Sequence, residues 1–212
     1  MLRGFQNEYY YHICNRGVDK REVFLDKWDY VRFLESLRGF NTTKSIGSLY
    51  RLRKTSEVSA RPQRSSFPLI EILAYCLNPN HYHLLVKQKA EDGISSFMSK
   101  LGNGYTKYFN EKYKRSGSLF QGKYISKETD STEDLLKLSV YVNCNAEIHN
   151  ISKKENWIWS SYLDYVNLRN GSLCNKIEVL EDFNNIEEYK QFCEELIPEI
   201  KETKNLEKYN LE

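Results

Sequence analysis

Nowhere in this sequence do two cysteines stand as a C-x-x-C pair. The five present, Cys14, Cys76, Cys144, Cys174 and Cys193, are odd in number and widely spaced. Such spacing suggests neither a disulfide framework nor a zinc site, and reduced thiols of a cytoplasmic protein are the simple reading. No stretch approaches the ~20 apolar residues of a membrane-spanning helix, so no membrane partner is expected. The opening Met-Leu-Arg-Gly-Phe-Gln-Asn-Glu has no apolar run of the kind a secretory leader needs. Internal repeats and low-complexity segments are also missing.

What is present is a chain of 212 residues, 40% hydrophobic and 28% charged, long enough to bury a core. Its net charge of +2 is a cancellation. From Ile177 to Glu212 there are 11 Asp/Glu against 4 Lys, a net of −7, which leaves +9 on residues 1–176. A basic body with an acidic tail points to a polyanionic partner for the body, or else to ordinary charge scatter. Sixteen tyrosines offer stacking faces for bases, and serve equally as core and surface residues.

Tyr9 to Asn15 is aromatic and β-branched and predicts a strand, ended by Arg16-Gly17. Trp28, Val31, Leu34 and Leu37 recur at helical spacing and predict a helix from Trp28 to Phe40. Residues 41–68 hold Lys44, Arg51, Arg53, Lys54, Arg61 and Arg64 against Glu57, and are expected to form a basic insertion loop. Leu69–Leu77 and His81–Gln88 predict a hairpin around Asn78-Pro79-Asn80. A long helix should open at Gly93, although Gly102 and Gly104 weaken its continuity. A fourth strand is expected over Leu119–Ser126. Ser131-Thr132-Glu133-Asp134 resembles a helix-start capping box, with the helix running to about Glu147. Strand, helix, strand, strand, helix, strand is the α+β order of the ferredoxin-like split βαβ fold with an antiparallel sheet, here followed by an extra helix. The expected organisation is a domain over 1–170, a linker near Arg169-Asn170-Gly171, and an acidic helical tail over 171–212.

On a strand, His81 and His83 of His81-Tyr82-His83 point to one face, and Tyr82, Leu84 and Val86 to the other. The two imidazoles can converge on one metal ion, though the spacing alone also fits two histidines that merely share a face. On the extra helix, Tyr141 and Asn145 lie four residues apart on one face, and Lys137 extends the stripe. By itself this stripe fits an exposed tyrosine near a polar helix end. Taken together, two His and an amide oxygen make an open N/O ligand set suited to Mg²⁺ or Mn²⁺. A phenol beside a metal-bound phosphate can act as a covalent nucleophile. Basic residues and tyrosine faces would hold single-stranded nucleic acid.

Several segments carry a family resemblance. They are Tyr11-His12-Ile13-Cys14-Asn15-Arg16-Gly17, Phe24-Leu25-Asp26-Lys27-Trp28-Asp29-Tyr30-Val31-Arg32-Phe33-Leu34 and Leu77-Asn78-Pro79-Asn80-His81-Tyr82-His83-Leu84-Leu85. Tyr105-Thr106-Lys107-Tyr108-Phe109-Asn110 with Gly117-Ser118-Leu119-Phe120-Gln121-Gly122-Lys123-Tyr124 is the most distinctive, followed by Tyr141-Val142-Asn143-Cys144-Asn145 and Trp159-Ser160-Ser161-Tyr162. From about Glu8 to Tyr165 the chain resembles the REP-associated tyrosine transposases, a branch of the HUH single-tyrosine transposases.

The resemblance implies a metal-dependent single-stranded DNA endonuclease and strand transferase, acting on DNA hairpins through a 5′-phosphotyrosine. It assigns Tyr141 as nucleophile and His81 and His83 as metal ligands. Asn145 stands where related transposases place a Gln or Asn third ligand. Arg16, Lys112, Lys114, Arg115, Lys123 and Lys137 are expected to contact DNA, while His12 is read as structural and His149 as a surface residue. No organic cofactor is implied, and a homodimer is left open. Two features depart from the family pattern: Asn145-Ala146 stands for the usual Asn-Pro, and the insertion at 41–68 is long. The alternative function is a nucleic-acid-binding protein of the same fold that does not cleave.

Overall fold

The computed structural model describes residues 4–43, 67–129 and 131–209, with side chains described as far as residue 204. Most of the expected basic insertion, including all six of its Lys and Arg residues, lies outside the described residues. Four strands form one sheet: β1 (Tyr10–Arg16), β2 (Ile70–Asn78), β3 (His81–Gln88) and β4 (Ile125–Thr129). Their order is β2-β3-β1-β4 and all three pairings are antiparallel. This is the ferredoxin-like α+β arrangement. The helices are α1 (Lys27–Gly39), α2 (Gly93–Lys112), α3 (Thr132–Asn143), α4 (Asn145–Ile148), α5 (Tyr162–Tyr165), α6 (Ile177–Leu180) and α7 (Ile186–Tyr209).

Register sets the division of labour. β1 and β3 pair Tyr11 with Val86, Ile13 with Leu84 and Asn15 with Tyr82, alternating with His12–Leu85, Cys14–His83 and Arg16–His81. The first set faces α1 and α2, and Tyr11, Ile13, Tyr82, Leu84 and Val86 join Phe33, Leu37, Phe97, Leu101 and Tyr105 in a dry core. The second set faces α3 and the C-terminal helices. Leu85 and Ala74 pack there with Val140, Cys144, Tyr162, Tyr165, Tyr189 and Cys193.

Helix ends are set by side chains. Asp26 caps α1 by accepting from the Trp28 and Asp29 amides, and Asp29 reaches back to the Asp26 amide. Ser131 caps α3, its Oγ accepting from the Asp134 amide at 3.1 Å. Asp29 is 0% exposed, and its carboxylate also accepts from Tyr108, Tyr113 and Lys112 of the α2 region, which ties the two helices together. α2 runs unbroken through both of its internal glycines. At Gly104 the Phe40 ring packs so closely that an added Cβ would lie 2.4 Å from it. The glycine there serves close packing and does not mark a break.

Two element boundaries differ from the sequence expectation. The fourth strand starts at Ile125, because Leu119 and Phe120 are buried and the chain turns at Gly122, with φ +68°. The helix expected to reach Glu147 is interrupted at Cys144, whose φ of −100° and ψ of 12° leave the helical region. Just before the break, Asn143 is held by Tyr189 of α7 and Ser161, both within hydrogen-bond reach.

The acidic C-terminal segment packs onto the body. Tyr189, Cys193, Leu196 and Ile197 are buried in the second core. Ahead of them, Glu178 accepts from Tyr10 at 2.6 Å and from Lys87 at 3.1 Å.

Candidate metal and tyrosine site

His81 and His83 sit at the start of β3, 7% and 5% exposed, with ring centroids 5.1 Å apart and planes at 84°. The Asn78-Pro79-Asn80 turn holds the first of them. His81 Nδ1 donates to Asn80 Oδ1 at 2.6 Å, so Nε2 carries the lone pair. That lone pair accepts from Asn78 Nδ2 at 2.9 Å. The same amide nitrogen donates to Asn145 Oδ1 at 2.7 Å. One nitrogen thus collects an imidazole lone pair and an amide oxygen at a single point, the kind of donor pair that a hard or borderline divalent cation takes. Asn145 is 0% exposed, and its Nδ2 has no hydrogen-bond partner. The helix break at Cys144 places its side chain beneath the sheet rather than on a continuing stripe of α3.

Tyr141, on α3, stands edge-on to His83 with centroids 5.4 Å apart at 90°, and edge-on to His12 at the same distance. His12 Nε2 lies 2.8 Å from His83 Nδ1 with the rings nearly coplanar. His12 therefore belongs to the cluster, and so does Cys14. His12, Cys14 and His83 present ligand atoms all within 4.8 Å of one another.

The second addition comes from α7. Lys204 Nζ donates to Tyr141 Oη at 2.9 Å and to His149 Nε2 at 2.8 Å, and sits 4.4 Å from the Tyr141 ring centroid. His149 in turn lies edge-on to His81 at 5.4 Å. Only the pairing register would reveal His12 and Cys14 from sequence, by setting them opposite the His pair. Lys204 carries no sequence signal, lying 63 residues from Tyr141.

Burial and neighbouring cations keep this cluster neutral. Desolvation, aided by Lys204 and Lys127, lowers His12 to about 4. For His81, desolvation and the charges of His149 and Arg16 lower the pKa to about 4, against an opposing Asn145 hydrogen bond. His149 is exposed, as expected, yet partial desolvation by its neighbours and the Lys204 charge lower it to about 4, whereas His83 is pushed well below its ordinary value, first by burial. Neutral imidazoles are the form that ligates metal. Burial pushes the Cys14 thiol upward.

The basic residues expected at DNA fall into two groups. Arg16 and Lys123 line a cavity of about 350 Å³ together with Cys14, His81 and His83. Lys123 also lines a larger cavity of about 610 Å³ between α2 and the 118–124 segment. Lys114 is exposed at the end of α2. The other three are engaged within the protein. Lys112 pairs with Asp26 at 2.8 Å and Asp29 at 2.7 Å. Arg115 donates to Asn110 Oδ1 and the Ser118 carbonyl, and Lys137 pairs with Glu133 one turn back.

Residues 65–145 match the family model described as "Transposase IS200 like", so this part of the chain is similar to the IS200-like transposases. The further resemblance to the REP-associated tyrosine transposases holds at the level of fold. A solved structure of a REP-associated tyrosine transposase bound to a REP hairpin aligns at TM-score 0.55 and 14% identity, over 82% of this chain and 93% of that one. A protein of Deinococcus radiodurans R1, described provisionally as a transposase, aligns at TM-score 0.39 and 15% identity over 72% and 98%, too loosely to carry weight. No curated protein sequence matches the chain. Among the described residues no helix is long and apolar enough to cross a membrane.

Proposed function

We propose that the chain is a divalent-metal-dependent endonuclease and strand transferase for single-stranded DNA carrying a hairpin. Tyr141 is the nucleophile, and His81, His83 and Asn145 are the metal ligands. The observation that carries the proposal is the meeting of a phenol ring, a His-x-His pair and an amide oxygen on one face of the sheet, where the two histidines border an open cavity. The solved relative bound to a REP hairpin supports the choice of substrate class.

The residues present fit a cation. His81 offers Nε2 with its tautomer fixed by Asn80, and Asn145 Oδ1 converges on the same donor. Mg²⁺ or Mn²⁺ held there would polarise the scissile phosphate. Tyr141 Oη gives up its proton and attacks phosphorus, the P–O3′ bond breaks, and the departing oxygen takes up a proton in exchange, leaving a free 3′-OH. The product is a 5′-phosphotyrosine, which a second 3′-OH can attack to rejoin strands and release the phenol. The Lys204 ammonium holds the phenol oxygen and offsets negative charge as it develops there. Arg16 and Lys123, at the cavity wall, contact the DNA backbone. Lys112, Arg115 and Lys137 serve the protein's own packing first.

The test is a denaturing gel of labelled hairpin DNA with single-stranded flanks, in Mg²⁺ or Mn²⁺. A covalent protein–DNA adduct that disappears in Tyr141→Phe supports the proposal. Cleavage that survives Tyr141→Phe defeats the tyrosine mechanism, and binding without any adduct favours the non-cleaving alternative.

A further inference from the structure

His12 and Cys14 have no part in the proposed cleavage chemistry, yet both face the site. Cys14 is the cross-strand partner of His83, and His12 lies two residues before it on the same face of β1. The three ligand atoms, two imidazole nitrogens and a sulfur, fall within 4.8 Å of one another. Cys14 is a free, half-buried thiol lining the same cavity as His81 and His83. No carboxylate belongs to the group. Thiolate and imidazole donors select Zn²⁺ or Co²⁺ and serve Mg²⁺ poorly.

We infer that His12, Cys14 and His83 form a second, softer metal set that takes Zn²⁺ and, when filled, holds the enzyme off. The exclusion follows from the chemistry of one ring. His83 turns Nδ1 toward His12, with 2.8 Å between the nitrogens. A neutral imidazole has one lone pair. Zinc on Nδ1 fixes the proton on Nε2 and removes His83 from any partnership with His81 in holding the catalytic cation. On binding, Cys14 loses its thiol proton to solvent. The proton between the two histidines moves to an outer ring nitrogen, so that both inner nitrogens ligate. Three protein donors would leave a fourth position for water. The zinc set itself stands on geometry alone. Its inhibitory role rests on the cleavage proposal, because only there does His83 serve a catalytic cation.

The test uses the full metal-free chain titrated with Co²⁺, which reports thiolate ligation by a charge-transfer band in the near ultraviolet. One Co²⁺ per chain should produce the band, and an equivalent of Zn²⁺ should remove it. Cys14→Ser, Cys14→Ala and His12→Ala should abolish it while circular dichroism shows a folded chain. His81→Ala, outside the set, should keep it. Zn²⁺ should bind wild type at least about tenfold more tightly than Cys14→Ser, by calorimetry. Co²⁺ bound without the band, or a band that survives Cys14→Ser, overturns the inference. Adduct formation in Mn²⁺ should fall at least about tenfold with one equivalent of Zn²⁺ and recover in Cys14→Ser. An adduct insensitive to zinc defeats the inhibitory role and leaves the cleavage reading standing. A band without any adduct under any metal keeps the zinc set and defeats the cleavage reading.

Discussion

On β1 and β3, alternate residues face two different environments. Tyr11, Ile13, Tyr82, Leu84 and Val86 enter a closed apolar core under α1 and α2. His12, Cys14, Arg16, His81 and His83 face the other side, which α3, α4 and α7 cover only in part, leaving a cavity at its edge. The first face supplies the rigidity that the second needs. A hydrophobic core fixes strand register, and register fixes which nitrogens meet. The second face gives up some burial energy for chemistry, holding desolvated imidazoles and an unpaired amide nitrogen where apolar side chains would pack more favourably.

The sharpest way to break the comparison is to remove the proposed nucleophile. Tyr141→Phe deletes one oxygen from the open face and leaves the closed face untouched. Adduct formation should fall by on the order of 10³-fold or more, with the melting temperature nearly unchanged. If the adduct persists on a denaturing gel, the open face is not the reacting one.

Acid distinguishes the faces next. In the metal-free protein, His12, His81 and His149 have folded-state values lowered to about 4, and His83 is lowered further still, all from the ordinary 6.5. Below pH 6.5 the unfolded chain takes up protons that the folded chain refuses until about pH 4. The stability tied to these neutral rings is therefore present above pH 6.5 and is lost as pH falls toward 4. Glu147, held low by Lys153 and Lys154 despite burial, acts in the same direction but in the more acidic carboxylate range. Urea midpoints should already drop between pH 6.5 and 5, and His149→Gln should flatten that drop. A midpoint constant down to pH 5 would contradict the account.

The closed face is probed by Leu84→Ala. Leu84 is 0% exposed between α1 and α2, and the truncation leaves a cavity there. Unfolding free energy should fall by about 2–5 kcal/mol, while adduct yield per folded molecule holds at low temperature. If yield falls in proportion to stability under fully folded conditions, the two faces are more tightly coupled than the packing implies.

Much of this division was legible in the sequence. Period-two alternation separated His81 and His83 from Tyr82, Leu84 and Val86, and Ser131 announced α3. The legible features are local, set by residues two to four apart. The features that were not legible depend on long-range pairing. His12 gains its position only once β1 is in register with β3. Lys112, one of a basic cluster in the sequence, meets Asp26 and Asp29 from more than 80 residues away. Asn145 reaches Asn78, beside His81, through a helix break that a four-residue spacing does not foresee.

Lys204 is the clearest case of the same limit, and its removal gives the smallest and most discriminating prediction. It lies in the acidic C-terminal segment, beyond the 65–145 family match, yet its ammonium rests on the Tyr141 hydroxyl and His149. Buried residues of α7 such as Tyr189 and Cys193 deliver it there, so the tail's packing and the site's charge are one arrangement. A positive charge at a phenol oxygen offsets negative charge that develops there and steadies the ring. Lys204→Met keeps much of the stem's packing and deletes the charge. Adduct formation should drop about 10- to 100-fold in rate, with hairpin binding within about threefold of wild type. Lys204→Arg should restore part of the rate, because a guanidinium can still donate to the phenol. A rate that rises in Lys204→Met would reverse the assignment, making the lysine a restraint that holds Tyr141 away from phosphate.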